Sequence, residues 1–282
     1  MTISKFIYTV LFQPAWIRKI INKVIIFLLP ISTKVGKAVV ILNPSDPVIS
    51  GALTFGVYEK SEIFLMQRIC QSGQTVIDIG ANVGLYTAIA GLCVGHHGRV
   101  FSFEPEPESF YYLQKTVSAN KLINTSIVQA AVASQNGKAN LYTSAVNKGD
   151  HRLYLNHDSN NTIEVETIKL DDYLAKHHIY SADVIKMDIQ GYEGHAILGM
   201  ENLIRSSPQL IMFMEFWPMG LLSSGTDPLN LLNRLENMGL RIYEIKKHNR
   251  LIAIKNKHEL IHHLPQHQYT NLLLLGKNAV LS

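Results

Sequence analysis

The sequence contains only two cysteines in 282 residues, Cys70 and Cys93, which is too few for a disulfide framework. Both lie among apolar residues with helical spacing, so we expect buried free thiols and a reducing, cytoplasmic location. No apolar run reaches the ~20 uninterrupted residues that a membrane-spanning helix needs. Internal repeats and low-complexity tracts are also absent. These absences leave an ordinary α/β enzyme as the class that the composition favours.

The main body of the chain has no basic face. The net charge is +4, but the part before Asp46 has no acidic residue and six basic ones, which are Lys5, Arg18, Lys19, Lys23, Lys34 and Lys37. The remainder is therefore close to neutral. A nucleic-acid-binding domain would carry clustered basic and aromatic residues. We expect no nucleic acid partner.

The basic N-terminal part contains an amphipathic segment, residues 16–29. Its apolar stripe is formed by Ile17, Ile20, Ile21, Val24 and Leu28. Such a stripe indicates either a helix lying on a membrane surface or a helix packed on its own domain or on a partner subunit. We predict a basic arm over residues 1–45 and a single catalytic domain over residues 46–282. The oligomeric state stays open.

Beyond Pro47, helix patterns alternate with strand patterns, which predicts a doubly wound α/β fold with a mostly parallel sheet. Strands are predicted at 75–79, 99–103 and 126–131, and helices at about 59–70, 84–94 and 107–119. The turn residues 135–138 separate two β-rich runs, 127–133 and 139–143. This arrangement predicts a β-hairpin inserted between two units of the sheet.

A glycine-rich turn follows the first of these strands. It reads Gly80-Ala-Asn-Val-Gly84, and the next strand ends at Glu104. Glycines let the backbone approach a ligand, and a carboxylate at the next strand tip can accept hydrogen bonds from ribose hydroxyls. The G-x-G-x-x-G motif of nicotinamide sites is missing. The carboxylate of Asp78 suits a donor with a sulfonium and an ammonium group, which indicates S-adenosylmethionine.

Two further acids close apolar strands later in the chain, Asp188 after 184–187 and Glu215 after 210–214. Carboxyl ends of parallel strands share one crevice. Methyl transfer to a hydroxyl needs the acceptor oxygen held about 3 Å from the methyl group and its proton removed. We therefore predict Asp188 as the base or orienting group and Glu215 as its partner. The alternative is that Asp188 caps a helix starting near Gly191.

A metal site is not expected. Histidines recur near the end of the chain, at positions 258, 262, 263 and 267, without a cluster of acids or cysteines beside them. Pro265 would interrupt a helix that presents them together.

These motifs, taken together and in this order, resemble the FkbM-type S-adenosylmethionine-dependent methyltransferases. The resemblance extends over residues 55–276 and rests chiefly on Asp78–Gly84, Phe103–Pro105 and Lys186–Glu193. It implies a Rossmann-like sheet of seven strands whose final antiparallel hairpin is formed by 241–245 and 271–275. Many members carry glutamate where this chain has Gln190.

The resemblance also implies a site and a reaction. Donor contacts are expected at Asp78, Gly80, Ala81, Asn82, Gly84, Glu104 and Ala131. The expected acceptor is a hydroxyl on a sugar, a glycolipid or a secondary metabolite. Two alternatives remain, an N-methyltransferase acting on a small amine and a non-catalytic protein that binds the cofactor and an interaction partner.

Overall fold

A computed structural model describes residues 29–143, 151–155, 161–266 and 268–281 of the chain. The amphipathic segment predicted at 16–29 lies outside these ranges except for Leu29. The helical character of the arm and its membrane contact therefore stay predictions.

The described residues form ten α-helices and thirteen strands. The helices are α1 Pro47–Thr54, α2 Lys60–Ile69, α3 Leu85–Val94, α4 Pro107–Ala119, α5 Leu170–Lys176, α6 Glu193–Gly199, α7 Glu201–Arg205, α8 Pro218–Ser223, α9 Pro228–Asn237 and α10 Lys257–His262. The strands are β1 Ser32–Val35, β2 Ala38–Ile41, β3 Thr75–Ile79, β4 Arg99–Phe103, β5 Thr125–Val128, β6 Ala131–Val132, β7 Gly137–Thr143, β8 Asn161–Ile168, β9 Val184–Met187, β10 Ile211–Phe216, β11 Arg241–Lys246, β12 Arg250–Ala253 and β13 Thr270–Leu275.

The main sheet has the order β12-β11-β13-β10-β9-β3-β4-β5. Strands β10, β9, β3, β4 and β5 run parallel, and β13 lies antiparallel between β10 and β11. Helices connect the parallel strands, so the predicted doubly wound α/β fold and its final antiparallel hairpin are confirmed. The sheet has eight strands rather than seven, because β12 turns back after β11 and pairs with its outer edge.

The hairpin predicted around residues 135–138 is wrong. Strands β6 and β7 do not pair with each other, because β8 lies between them, parallel to β6 and antiparallel to β7. β8 pairs with β7 along its whole length, Gly137–Thr143. That long ladder satisfies more backbone groups than a short local hairpin, and the competing strand is too distant in sequence for a local turn signal to reveal.

Residues just before the predicted domain boundary pack on the domain. β1 and β2 form an antiparallel hairpin whose N–H groups at Val39 and Ile41 donate to Asn120 Oδ1 (2.9 Å) and Thr116 Oγ1 (3.0 Å) on α4 and at its end. Val40 is fully buried in the core on that side of the sheet. The division into residues 1–45 and 46–282 stays a prediction, with β2 contributing to the domain core.

Both cysteines are free, and Cys70 is buried whereas Cys93 is partly exposed. Of the helices in the described ranges, none has the length and apolar character needed to cross a bilayer.

Candidate functional site

The carboxyl ends of three neighbouring strands carry Asp78, a predicted donor ligand, and the two predicted catalytic acids, Asp188 and Glu215. In the register of the sheet, Asp78 on β3 pairs with Lys186 on β9, and Lys186 pairs with Phe213 on β10. Side chains two residues apart on a strand point to the same face. Asp188 and Glu215 therefore follow on one face of the sheet, next to the turn after β3.

The glycine turn is pressed against the end of β9. Gly80 has a left-handed φ of +80°, its N–H donates to the Phe103 carbonyl (2.9 Å), and a Cβ placed on it would lie 2.0 Å from the Asp188 carbonyl oxygen. Only glycine satisfies both the backbone conformation and this close approach. Asn82 is also left-handed, with φ +49°, a conformation that asparagine tolerates better than most residues.

A narrow cavity, the cleft, opens on one side of this turn. It is lined by Gly80, Asn82, Glu104, Ala131, Asp188 and Gln190, with further apolar residues from the neighbouring strands. Glu104 accepts hydrogen bonds from the N–H groups of Asn82 (2.8 Å) and Glu106 (2.9 Å). Burial raises the pKa of Glu104 to about 7, against the lowering effect of those two bonds. Glu104, the residue predicted to bind the ribose, therefore lines the cleft.

The cleft encloses about 60 Å³. Drug-sized ligands occupy cavities of roughly 300–1,000 Å³. A nucleoside can therefore enter only if part of the lining moves. Two of the lining residues, His151 and Leu153, belong to the short described segment 151–155 between β7 and β8. Its Arg152 forms a backbone bridge with Tyr142.

A larger cavity of about 470 Å³, the chamber, opens on the other side of the turn. One wall is apolar and comes from α1 and the residues after it, including Val48, Ile49, Ala52 and Leu53. The polar part of the lining consists of Tyr58, Glu59, Tyr86, Lys186, Asp188, Gln190, Glu215 and Tyr269. Ala81 also lines the chamber. Because Gly80, Asn82, Asp188 and Gln190 line both cavities, the two meet at these residues.

Gln190 joins the two predicted catalytic acids. Its Nε2 donates to Asp188 Oδ1 (2.9 Å) and to Glu215 Oε2 (3.1 Å). The residue has a left-handed φ of +54°, and its carbonyl accepts a hydrogen bond from the Tyr154 hydroxyl (2.9 Å). A single neutral amide therefore holds both carboxyl groups in place at the junction of the cavities.

Lys186 lines the chamber and was not among the site residues predicted from the sequence. It is only 2% exposed, and its Nζ lies 3.6 Å from Asp188 Oδ2 and 5.1 Å from the centre of the Tyr86 ring. Burial by itself lowers the pKa of Lys186, but the surrounding carboxyl groups, led by Glu59 and Asp188, raise it above its ordinary value. The available signal was a lysine inside the otherwise apolar strand Val184–Met187.

Two carboxyl groups of the chamber resist ionisation. Burial, followed by the charge of Asp188, raises the pKa of Glu215 well above its ordinary value. Burial also raises the pKa of Glu59, although Lys186 and a hydrogen bond from the Tyr86 hydroxyl (2.6 Å) oppose it. The protonated form of Glu215 is therefore favoured more than that of an ordinary glutamate.

Two of the predicted donor ligands, Asp78 and Gly84, line neither cavity. Asp78 Oδ2 accepts a hydrogen bond from Thr87 Oγ1 (2.6 Å), and burial raises its pKa to about 6 against the effect of that bond. Gly84, the residue just before α3, has φ +88°, and a Cβ placed on it would lie 2.8 Å from the side chain of Leu113 on α4. Asp78 and Gly84 therefore contact the helices next to the turn rather than either cavity.

The alternative role of Asp188 as a helix cap does not match the geometry. α6 begins at Glu193, whose own carboxyl accepts hydrogen bonds from the N–H groups of Ile189 (3.2 Å) and Gly191 (3.3 Å). Burial raises the pKa of Glu193 to about 7.

Within the described ranges, no group of three or more histidine, cysteine, aspartate or glutamate side chains is placed to hold a metal ion.

The residues that line the two cavities match the chemical groups of S-adenosylmethionine. Glu104 can receive the ribose hydroxyls in the cleft, and the cleft and the chamber share Gly80, Asn82, Asp188 and Gln190 as lining residues. The acids at the junction and in the chamber complement the positive sulfonium and ammonium groups.

Comparison with known proteins places this site in a family. Residues 78–242, more than half of the chain, match the methyltransferase FkbM domain. The hexuronic acid methyltransferase AglP of Haloferax volcanii is 24% identical over 194 residues, which cover 68% of this chain and 73% of that protein. The 2-O-methyltransferase NoeI of Sinorhizobium fredii is 28% identical over 139 residues, 44% of this chain and 56% of that protein.

A solved structure of the methyltransferase FkbM from Methylobacillus flagellatus KT superimposes with a TM-score of 0.47 and 14% identity, covering 92% of this chain and 60% of that one. The domain match, together with the doubly wound sheet and the two cavities, makes this chain a methyltransferase with S-adenosylmethionine as its methyl donor. The chain belongs to the FkbM methyltransferase family.

Proposed function

We propose that this methyltransferase transfers the methyl group to a hydroxyl of a sugar or a sugar-like acceptor bound in the chamber. The observation that carries the proposal is the pair of carboxyl groups, Asp188 and Glu215, held by Gln190 where the chamber meets the cleft. Two distant relatives support it, because their names state a hexuronic acid methyltransferase and a 2-O-methyltransferase.

In the proposed mechanism, Asp188 accepts the proton of the acceptor hydroxyl. Its Oδ2 is paired with the Lys186 ammonium (3.6 Å), and its Oδ1 receives the Gln190 amide, so the carboxylate is fixed in orientation. S-adenosylmethionine, when bound, supplies an electrophilic methyl group on sulfur. With the donor bound, the acceptor oxygen would take the methyl group and S-adenosylhomocysteine would leave, while the hydroxyl proton passes to Asp188.

Glu215 has a different role in this proposal. Burial and the charge of the neighbouring Asp188 raise the pKa of Glu215 well above its ordinary value, which favours its protonated form. In this proposal Glu215 donates a hydrogen bond to the acceptor rather than removing its proton. The two carboxyl groups then divide the tasks of base and orienting donor through their different surroundings.

The test is Asp188→Asn in the full chain. We expect methyl transfer to sugar hydroxyls to fall by roughly 100- to 10,000-fold, the range that general base catalysis contributes. Affinity for S-adenosylhomocysteine, measured by calorimetry, should change little, because asparagine keeps the shape of the junction. The products are identified by mass and by the position of the labelled methyl group.

The matched control is Asp172→Asn, the same change at an exposed carboxyl that contacts Asn136 and Lys169. It should keep wild-type turnover. Full activity in Asp188→Asn would contradict the assignment of the base. Methyl groups found on amines and never on hydroxyls would replace the proposed reaction by N-methylation.

A further inference from the structure

The chamber is lined by more carboxyl groups than cations. Glu59, Asp188 and Glu215 reach it, and Lys186 is the single lysine, arginine or histidine among its described lining residues. One buried ammonium therefore serves three carboxyl groups. Glu215 is 6% exposed, so bulk water does little to screen the difference.

Binding of the donor reduces this imbalance without removing it. S-adenosylmethionine carries a sulfonium, an ammonium and one carboxylate, and thus a net single positive charge. Lys186 and the bound donor supply counter-charges for two of the three carboxyl groups, so one carboxyl group, Glu215 in the mechanism proposed above, has no counter-charge and is favoured in its protonated form. In the empty chamber protons reduce the imbalance, since burial raises the pKa of both Glu59 and Glu215. A ligand ammonium would provide the missing counter-charge directly.

We propose that the chamber selects an acceptor that carries one ammonium group beside the methylated hydroxyl, as an amino sugar does, and that it disfavours acceptors with a carboxylate. This inference rests on the proposed O-methylation of a sugar-like acceptor. The apolar wall of α1 leaves the acid-lined wall as the place for the ammonium, which orients the acceptor ring. The selectivity would differ from that of the relative named for hexuronic acid, a carboxylate-bearing sugar.

A set of matched sugars tests the charge preference. Methyl 6-amino-6-deoxyglucoside, methyl glucoside and methyl glucuronide share one ring and differ only at carbon 6. Methyl 2-amino-2-deoxyglucoside moves the ammonium to another position. Their binding is measured by calorimetry on the full chain saturated with sinefungin, an unreactive donor analogue that keeps the positive charge. We expect the better amino sugar to bind roughly tenfold or more tighter than the neutral glucoside, and the glucuronide to bind weakest.

Two carboxyl substitutions test whether the preference for the amino sugar arises from the carboxyl groups of the chamber. Glu59→Gln removes one carboxyl group from the chamber and should reduce the preference for the amino sugar to less than about threefold. Glu164→Gln makes the same change at an exposed carboxyl on β8 that does not line the chamber, and should keep the preference. Glu215→Gln provides a second removal if Glu59→Gln does not fold.

The outcomes distinguish this inference from the function on which it rests. Equal or weaker binding of both amino sugars, with methyl transfer to the neutral glucoside, overturns the charge selectivity and leaves O-methylation standing. A preference retained in both Glu59→Gln and Glu215→Gln also overturns it. Failure to methylate any sugar hydroxyl overturns the proposed function and this inference together.

Discussion

At the scale of single residues, we predict that Glu104 couples donor binding to pH through its proposed hydrogen bonds with the ribose. Its pKa is raised to about 7 by burial, whereas ribose hydroxyls that donate to it favour the ionised form. Below pH 7 the donor must therefore bind with loss of a proton. We expect the affinity for S-adenosylhomocysteine to increase as pH rises from about 6 to 8, by up to tenfold per pH unit below the pKa, and then to level off. Calorimetry at each pH measures this.

Glu104→Gln should weaken binding and remove the pH dependence in this range, because an amide does not titrate. Glu166→Gln, at an exposed carboxyl on β8, serves as the control and should leave the pH profile as it is. A wild-type affinity that is flat between pH 6 and 8, or a Glu104→Gln variant with the wild-type profile, would contradict the assigned role.

At the scale of elements, the turn between β3 and α3 is fitted to the end of β9. A methyl group at Gly80 would lie 2.0 Å from the Asp188 carbonyl oxygen, so Gly80→Ala has to push the two elements apart. We expect this substitution to destabilise the protein by about 3 kcal/mol or more and to abolish donor binding. Urea unfolding measures the first effect and calorimetry the second.

Gly73→Ala is the matched control. Gly73 has a similar left-handed φ of +86°, but a Cβ there would meet no atom within 4 Å. Its substitution therefore bears only the backbone cost of about 1–2 kcal/mol and should keep donor binding. Equal destabilisation by the two substitutions would show that the close approach of Gly80 to the Asp188 carbonyl oxygen does not affect the free energy of unfolding.

At the scale of the whole molecule, buried acids make stability depend on pH. The pKa values of Glu104 and Glu193 are raised from 4.5 to about 7, and that of Asp78 from 3.8 to about 6. The folded state thus binds more protons than the unfolded chain between about pH 4 and 7, and the free energy of unfolding falls as pH rises through this window. We expect the free energy of unfolding, measured with urea in the absence of the donor, to fall by several kcal/mol across this pH window.

Glu193→Gln isolates one contribution. The amide keeps an acceptor oxygen for Ile189 and Gly191 but cannot ionise, so the variant should lose about 3 kcal/mol less than wild type between pH 5 and 8. Glu164→Gln, at an exposed position on β8, should follow the wild-type curve. Parallel pH curves for wild type and Glu193→Gln would contradict the raised pKa.

Local patterns predicted most of the elements that carry the site. The strands at 75–79 and 99–103 have the predicted bounds, because a short, largely buried run and the turn that follows it are properties of one segment. The hairpin at 135–138 is wrong because β8, more than twenty residues later, takes its place. Glu59 and Tyr269 carry no local sign of a shared cavity, although both line the chamber.

The amino-acid sequence by itself determined the alternation of strands and helices, the sharp turn at Gly80, and the presence of acids at the tips of β4, β9 and β10. These depend on backbone preferences and on apolar spacing within one element. Tertiary structure alone decided that Gln190 links Asp188 with Glu215 and that Lys186 is buried among carboxyl groups. The register of strands distant in sequence, and the burial that shifts each pKa, arise only when the sheet is assembled and packed.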